Sequence, residues 1–157
     1  MVTFATLCYV FRGGKVLLLF KSKGLFGEGR WNAPGGKLLS GETPEAGAVR
    51  EMFEETGVKV QNLCFHGILN FYLGGRKKLD QTVFVFSSKL AKGRLKQSVE
   101  GQLKWFAKVQ IPYDQMWDDD KVWLPLMFED KSFVGNFYFS DGYQKLESYS
   151  LEEIEPS

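Results

Sequence analysis

Residues 36–58 read GKLLSGETPEAGAVREMFEETGV, a stretch that sets out one helix with its start, its stop and an acidic second half. Thr43 supplies an N-cap, and Pro44 suits the first helical position because its missing N–H is not needed there. Gly57 stands where a glycine stop belongs. The spacing of Ala46, Val49, Met52 and Phe53 predicts an apolar stripe turned to a core. At about 100° per residue, Glu54 and Glu55 fall roughly 60° and 40° either side of Glu51, so the three carboxylates are expected on one face. Like charges stacked there repel, and the C-terminal half of a helix is the unfavourable end for anions. A hard divalent cation, Mg²⁺ or Mn²⁺, offsets both costs, because these ions take oxygen ligands and bridge carboxylates to phosphates. The plainer alternative is a solvated acidic face balanced by Arg50 and Lys59.

Outward from this helix the chain alternates β-rich runs with turn chemistry. Residues 3–11 and 16–20 predict two strands of a hairpin around Arg12-Gly13-Gly14-Lys15. A glycine-spaced loop follows to Arg30, then Trp31-Asn32-Ala33-Pro34-Gly35-Gly36. Beyond the helix, 58–73 and 81–87 predict strands about Gly74-Gly75-Arg76, and Lys89–Lys96 a basic surface loop. Residues 102–107 predict another strand, 113–120 an irregular segment and 121–129 a short helix shaped by Pro125. A last hairpin is expected from 133–140 and 143–150 across Asp141-Gly142. No repeat, linker or low-complexity tract interrupts the chain. The fold class this implies is α/β, a sandwich of helices about a mixed sheet, in a single domain spanning 1–157.

Composition narrows the function. Of 157 residues, 44% are hydrophobic and 25% charged, an ordinary globular balance, with a formal net charge of +1. That charge gives no field to recruit a nucleic-acid polymer, so an anionic small molecule needs local cations or a metal. Cys8 and Cys64 lie in apolar, strand-like surroundings and are expected to be buried free thiols. With His66 the sole histidine, Cys/His zinc sites lack ligands. His66 reads as a strand residue with a satisfied ring. Neither a signal segment nor a membrane span is expected, which fits a reducing cytoplasmic compartment and a monomer.

Gly36, Glu42, Arg50, Glu51, Met52, Glu54, Glu55, Gly57 and Val58 match GX5EX7REUXEEXGU at every specified position. The chain thereby resembles the Nudix hydrolases, and Pro34-Gly35-Gly36-Lys37 adds to the likeness. The resemblance implies the Nudix fold, an α/β/α sandwich with a mixed central sheet, and hydrolysis of a diphosphate linkage. It implies that Glu51, Glu54 and Glu55 are the metal-binding and catalytic carboxylates, that the Gly35 carbonyl is a further ligand, and that Glu100 is an additional carboxylate near the metal. Gly36, Glu42, Arg50 and Gly57 are structural in the motif, Glu42 and Arg50 as an ion pair.

Arg30-Trp31-Asn32, Trp105-Phe106, Met116-Trp117-Asp118-Asp119-Asp120 and Leu124-Pro125 are similar to the MutT-type branch that hydrolyses oxidised purine nucleoside triphosphates. That likeness implies a nucleotide-pool sanitation activity linked to DNA repair, with 8-oxo-dGTP cleaved to monophosphate and pyrophosphate. It places Trp117 as the base-stacking residue, Asp119, Asp120 and Asn32 at the base edge, and Thr6, Lys21 and Phe71 around them. An indole is a natural stacking platform for a purine, and crowded aspartates at 118–120 favour keeping one proton, so that a pair both accepts and donates. Against this stand an N-cap role for Asp120 and a core role for Trp117, while Trp31 reads as a packing residue. Ala33-Pro34 and a loop at 22–28 one residue longer depart from that branch. Two alternatives remain: hydrolysis of another nucleoside-diphosphate-linked substrate, and a non-catalytic nucleotide-binding module.

Overall fold

The computed structural model describes residues 1–22, 24–75, 78–96 and 101–155. Its elements run β1 (Thr3–Arg12), β2 (Lys15–Lys21), β3 (Trp31–Asn32), β4 (Gly35–Lys37), α1 (Pro44–Thr56), β5 (Lys59–Gln61), β6 (Cys64–Leu73), β7 (Lys78–Ser88), β8 (Leu90–Lys92), β9 (Gly101–Ala107), α2 (Asp120–Phe128), β10 (Ser132–Phe139) and β11 (Leu146–Ile154). Strand order is β11-β10-β6-β7-β1, after which β1 pairs β4 near its start and turns through a hairpin into β2. β2 is flanked by β9 and β3. The β1–β7 and β10–β6 pairs are parallel and the other pairs antiparallel, so the sheet is mixed.

Alternation along β1 divides two cores, because successive strand side chains point to opposite faces. Ala5, Leu7, Tyr9 and Phe11 pack with Trp123, Leu124 and Met127 of α2, whereas Cys8 and Val10 pack beneath Ala48 and Met52 of α1. The sheet therefore lies between two helices, the expected α/β/α arrangement. Large side chains with no exposure, such as Trp123 and Met52, each contribute roughly 1.5–3 kcal/mol by burial. Among the described residues, no helix is long and apolar enough to cross a membrane.

The ends of α1 are as its sequence dictates. Thr43 accepts a hydrogen bond from the Ala46 amide, and Gly57, at φ +81°, donates its N–H to the Phe53 carbonyl in a left-handed cap. The buried stripe differs from expectation. It consists of Gly47, Ala48, Met52, Glu55 and Thr56, while Phe53 and Ala46 are exposed. At about 100° per residue, Ala46 and Phe53 fall roughly 140–160° from Ala48, on the solvent side. Phe53 is shielded there by the ammonium groups of Lys59 and Lys96, 5.7 and 5.9 Å from its ring.

Three further expectations are corrected. Residues 58–73 are two strands, β5 and β6, parted at Asn62, which adopts φ +52°. The segment expected as a basic loop contains β8, which pairs β5 in a small second sheet. Cys64 is exposed, since it begins β6 at the rim, whereas Cys8 is buried and its thiol is pushed up to about 12 by burial. His66 is buried with Nε2 2.6 Å from Ser87 Oγ, a satisfied ring whose pKa burial lowers.

Replacing Thr43 with Ala removes the cap acceptor from an exposed helix start and is expected to cost about 1 kcal/mol in chemical denaturation, with the urea slope unchanged.

Candidate active site

The site begins where β4 meets β1. Gly35 lies so close to β1 that a Cβ there would sit 1.9 Å from the Thr6 carbonyl oxygen, which only glycine allows. Gly36 has the acidic helix as its neighbour, and a Cβ there would come within 2.8–2.9 Å of the Glu51 carboxylate. The Gly35 amide also donates to Glu55 Oε2 at 3.4 Å. Bare backbone thus lets two carboxylates of α1 press against β4.

Arg50 ties the intervening loop to the helix. Its Nε and Nη2 donate to Glu42 at 2.7 and 2.9 Å, and Nη2 also reaches the Lys37 carbonyl at 3.1 Å. Its Nη1 donates to Glu51 at 2.9 Å and to Glu54 at 3.1 Å. Hydrogen bonding from Arg50, then from the Leu39 amide, holds the Glu42 carboxyl down to about 2. The three glutamates do not share one environment, contrary to expectation. Glu55 is buried at 6% exposure, Glu51 is half-buried, and the Glu54 side chain is 57% exposed. Their angular positions differ enough to spread them from the sheet side of α1 to solvent. Among the described residues, no three His, Cys, Asp or Glu side chains converge on one point. The donors present are nonetheless all oxygen, the set that hard divalent cations prefer.

Beside these carboxylates opens a cavity of about 400 Å³. Thr6, Lys21, Asn32, Phe71, Trp117, Asp119 and Asp120 all line it, and so do Gly35, Gly36, Glu51 and Glu55. Residues separated by more than a hundred positions are therefore gathered at one place. Glu54, Glu42, Arg50 and Gly57 lie outside the lining, and Glu100 falls outside the described residues. Lys21, Arg30 and Lys37 bring positive charge to the same cavity despite the near-neutral chain.

Its apolar end is built on Trp117. Phe26 stacks with the indole at 5.2 Å between ring centres, and the Arg30 guanidinium lies 4.2 Å from the ring centre. Trp31, by contrast, packs against Phe20 and Phe106 at 5.0 and 4.9 Å and is not in the lining. The Asn32 side-chain oxygen accepts from the Ala33 amide at 2.8 Å, which orients its amide.

Asp119 and Asp120 are buried together at the start of α2. Asp119 Oδ2 accepts from Trp123 Nε1 at 2.8 Å, while Asp120 Oδ2 has no hydrogen-bond partner. Neither side chain caps the helix: the N-cap position belongs to Asp119, whose side chain makes no cap bond. Burial, more than mutual repulsion, raises both carboxyls. For Asp120 the neighbouring Asp119 charge comes second, and for Asp119 the Trp123 bond partly opposes the rise. Asp118 stands apart, accepting from the Leu146 amide at 3.3 Å. The run of three acids is thus one surface residue and a buried pair.

Phe26, Gln81, Phe139 and Tyr143 also line the cavity and are not prominent in the sequence. A phenylalanine within the glycine-spaced loop was the one legible signal, since such a loop exposes what it carries. Gln81 and Phe139 depend on strand pairings, and Tyr143 on a turn, that no local pattern reveals.

A family model for the Nudix domain matches residues 1–127. The chain belongs to the Nudix family. It is a Nudix hydrolase by its relatives as well. The oxidized purine nucleoside triphosphate hydrolase of Mus musculus is 41% identical over 150 residues, covering 96% of this chain and 94% of that protein. The protein of the same name from Danio rerio is 40% identical over the same shares. The crystal structure of a MutT protein from Bacillus halodurans superposes with a TM-score of 0.84 at 31% identity, covering 96% of this chain and 98% of that one. The α/β/α sandwich is accordingly the Nudix fold.

Two outcomes test the geometry. Gly36→Ala meets only the end of a glutamate side chain, so the variant is expected to fold while displaced Glu51 costs roughly 10–100-fold in hydrolysis. Gly35→Ala meets backbone and is expected to lose about 1–3 kcal/mol of stability or more. Equal effects from both would contradict this assignment.

The buried acids give a pH signature. Each raised carboxyl binds its proton more tightly folded than unfolded, so stability falls as pH rises from the ordinary aspartate value to the folded one. Asp120→Asn should flatten that fall and stabilise the fold at neutral pH by about 1 kcal/mol. A loss of stability at neutral pH would show that Asp120 is held as a paired anion.

Proposed function

We propose that this Nudix hydrolase cleaves purine nucleoside triphosphates, oxidised purines such as 8-oxo-dGTP above all, to monophosphate and pyrophosphate, a nucleotide-pool sanitation activity. The observation that carries the reading is the continuity of one cavity from the Trp117–Asp119–Asp120 end to the Glu51 and Glu55 carboxylates. A nucleotide spans such a distance with its base at one end and its phosphates at the other. The two vertebrate relatives, by name, act on oxidized purine nucleoside triphosphates.

At the base end, Trp117 provides the stacking face. Asp120, raised by burial, keeps its proton and donates, while Asp119, its Oδ2 held by Trp123, accepts. The pair then reads a donor beside an acceptor, the pattern that oxidation or a shifted tautomer changes on a purine edge. Asn32, Thr6 and Phe71 complete the enclosure, and Thr6 Oγ1, buried without a partner, is available to a ligand atom. At the phosphate end, Lys37 beside Gly36 on β4 offsets part of the polyphosphate charge, and Lys21 and Arg30 add positive charge elsewhere in the cavity.

Nudix hydrolases generally need a divalent metal ion. Glu51, Glu54, Glu55 and the Gly35 carbonyl would hold it here, with Glu100 a further carboxylate, and the all-oxygen set suits magnesium or manganese. When bound, such an ion neutralises phosphate charge and lowers the pKa of water. The glutamates position the attacking water and receive its proton. Its oxygen bonds to phosphorus as the bridging oxygen leaves with the bond's electron pair. Arg50 keeps Glu51 and Glu54 on the helix and so acts by positioning. The occupant is a small nucleotide, taken by one chain in a cytoplasmic, reducing setting.

With magnesium, pyrophosphate release from 8-oxo-dGTP should exceed that from dGTP, products being identified by mass. Trp117→Ala should raise KM roughly tenfold or more through lost stacking, and Glu54→Gln should abolish the metal-dependent release. Unchanged kinetics in Trp117→Ala and Asp119→Asn would sink the purine pocket. Turnover of another nucleoside-diphosphate-linked compound alone would move the substrate, and no turnover of any nucleotide would leave a binding module.

A further inference from the structure

Tyr143 lies in the turn between β10 and β11 at φ +57°, a left-handed conformation that is a true outlier for a bulky side chain. Such strain persists only where the surroundings over-determine it, and it gathers at functional sites. Two sets of contacts hold this residue. The hydroxyl donates to Asp80 Oδ2 at 2.5 Å and accepts from Gln81 Nε2 at 3.1 Å, both partners on β7. The ring meets Trp117 edge-on at 5.7 Å and Phe26 edge-on at 5.6 Å, and it packs on Phe139 at 5.3 Å. Burial, then the bond to Asp80, holds the phenol far above its ordinary pKa, so it stays a donor.

The other neighbours of Trp117 are poor anchors. Phe26 is 65% exposed on a loop with glycines at 24, 27 and 29, all at positive φ. Arg30 contributes a long side chain over the indole ring, a contact that tolerates sliding in the ring plane. An edge-on aromatic contact fixes orientation more closely, because the ring edge must meet the facing π-cloud. Tyr143 is tethered to a central strand, since β7 lies between β6 and β1.

We infer that Tyr143, pinned to β7 by Asp80 and Gln81, is a positioning residue that sets the plane of the Trp117 indole and thereby the discrimination between purine bases. The inference rests on the purine reading of the cavity. A base stacked on a tilted indole presents its edge to Asp119 and Asp120 out of line, so selectivity should suffer before turnover does.

The test is steady-state kinetics with 8-oxo-dGTP and dGTP on wild type, Tyr143→Phe, Tyr143→Ala and Gln81→Ala, each checked by thermal melting. Wild type is measured first. If it shows no preference for 8-oxo-dGTP, the oxidised-purine reading fails and this inference with it. Given that preference, Tyr143→Ala should raise KM for 8-oxo-dGTP about tenfold and erode the preference over dGTP, with kcat within about threefold. Tyr143→Phe, which keeps the ring and loses the tether, should fall between, at roughly threefold in KM, and Gln81→Ala should resemble it. Should Tyr143→Ala fail to fold, the Phe and Gln81 variants carry the test. Unchanged KM and preference in the folded variants overturns the inference with the purine reading intact. A uniform loss of kcat on both nucleotides also overturns it, because that marks a purely structural residue.

Discussion

The Arg50 guanidinium settles the electrostatics on which the acidic helix depends. Glu51, Glu54 and Glu55 sit at the half of α1 where the helix dipole is already negative, and the last turn carries no basic residue to offset them. Arg50 meets this with a planar fork. Two of its nitrogens grip Glu42 and the third reaches Glu51 and Glu54. A lysine could not do the same, since a single ammonium cannot span a bidentate carboxylate and two further acids. Isolated surface ion pairs add little, but this is a half-buried network with short, directed bonds. It gives the helix two carboxylates already oriented, with the loop from Lys37 to Glu42 fixed above them.

The same loop explains how an acidic helix comes to face the Trp117 cavity. Lys37 carries Arg50 on its carbonyl, and Lys37 is also the end of β4, whose Gly35 and Gly36 are laid on β1 opposite Leu7 and Thr6. Thr6 is thereby a neighbour of the carboxylates on one side and of the Trp117 cavity on the other. The carboxylate end and the Trp117 end of the cavity are joined through three residues of β4. The parallel β1–β7 pair then brings Gln81 and Val83 into the wall, and the β10–β6 pair does so for Phe71 and Phe139.

Legibility in the sequence follows this division between local and distant causes. The ends of α1, its acid spacing, the hairpins and the short α2 rest on near neighbours, and all could be read. Errors arose where a local pattern was ambiguous. Phe53 is apolar and helical, yet it lies opposite Ala48 and is covered by lysines instead of a core. Cys64 stands in an apolar run but at the exposed start of β6. Asp118, Asp119 and Asp120 look equivalent in a string, and only the onset of α2 divides the exposed acid from the buried pair. The residues of the Trp117 cavity are reached through family likeness, which carries distant geometry that periodicity cannot. Tyr143 lay beyond either route, for its role depends on a turn conformation and on two partners over sixty residues away.

The unfavourable features of the fold are concentrated around one cavity. Thr6 Oγ1 and Asp120 Oδ2 are buried without partners, Asp119 and Asp120 share a buried site, and Tyr143 holds a strained backbone. Tyr9 adds a third unpartnered polar atom, a hydroxyl whose ionisation is opposed by burial and by both aspartates, so the acid pair has neutral company on its core side. A fold selected for stability alone would replace such groups with apolar ones, because a buried polar atom without a partner costs free energy. Elsewhere the design is conservative: the core is aromatic and aliphatic, and His66 and Ser88 have their hydrogen bonds. The contrast argues that the unmet polar atoms are kept for a ligand that supplies their partners. A purine edge, with donors and acceptors side by side, fits that requirement better than a sugar or a bare phosphate. A sugar lacks the flat face that Trp117 offers, and a phosphate would meet repulsion from Asp119.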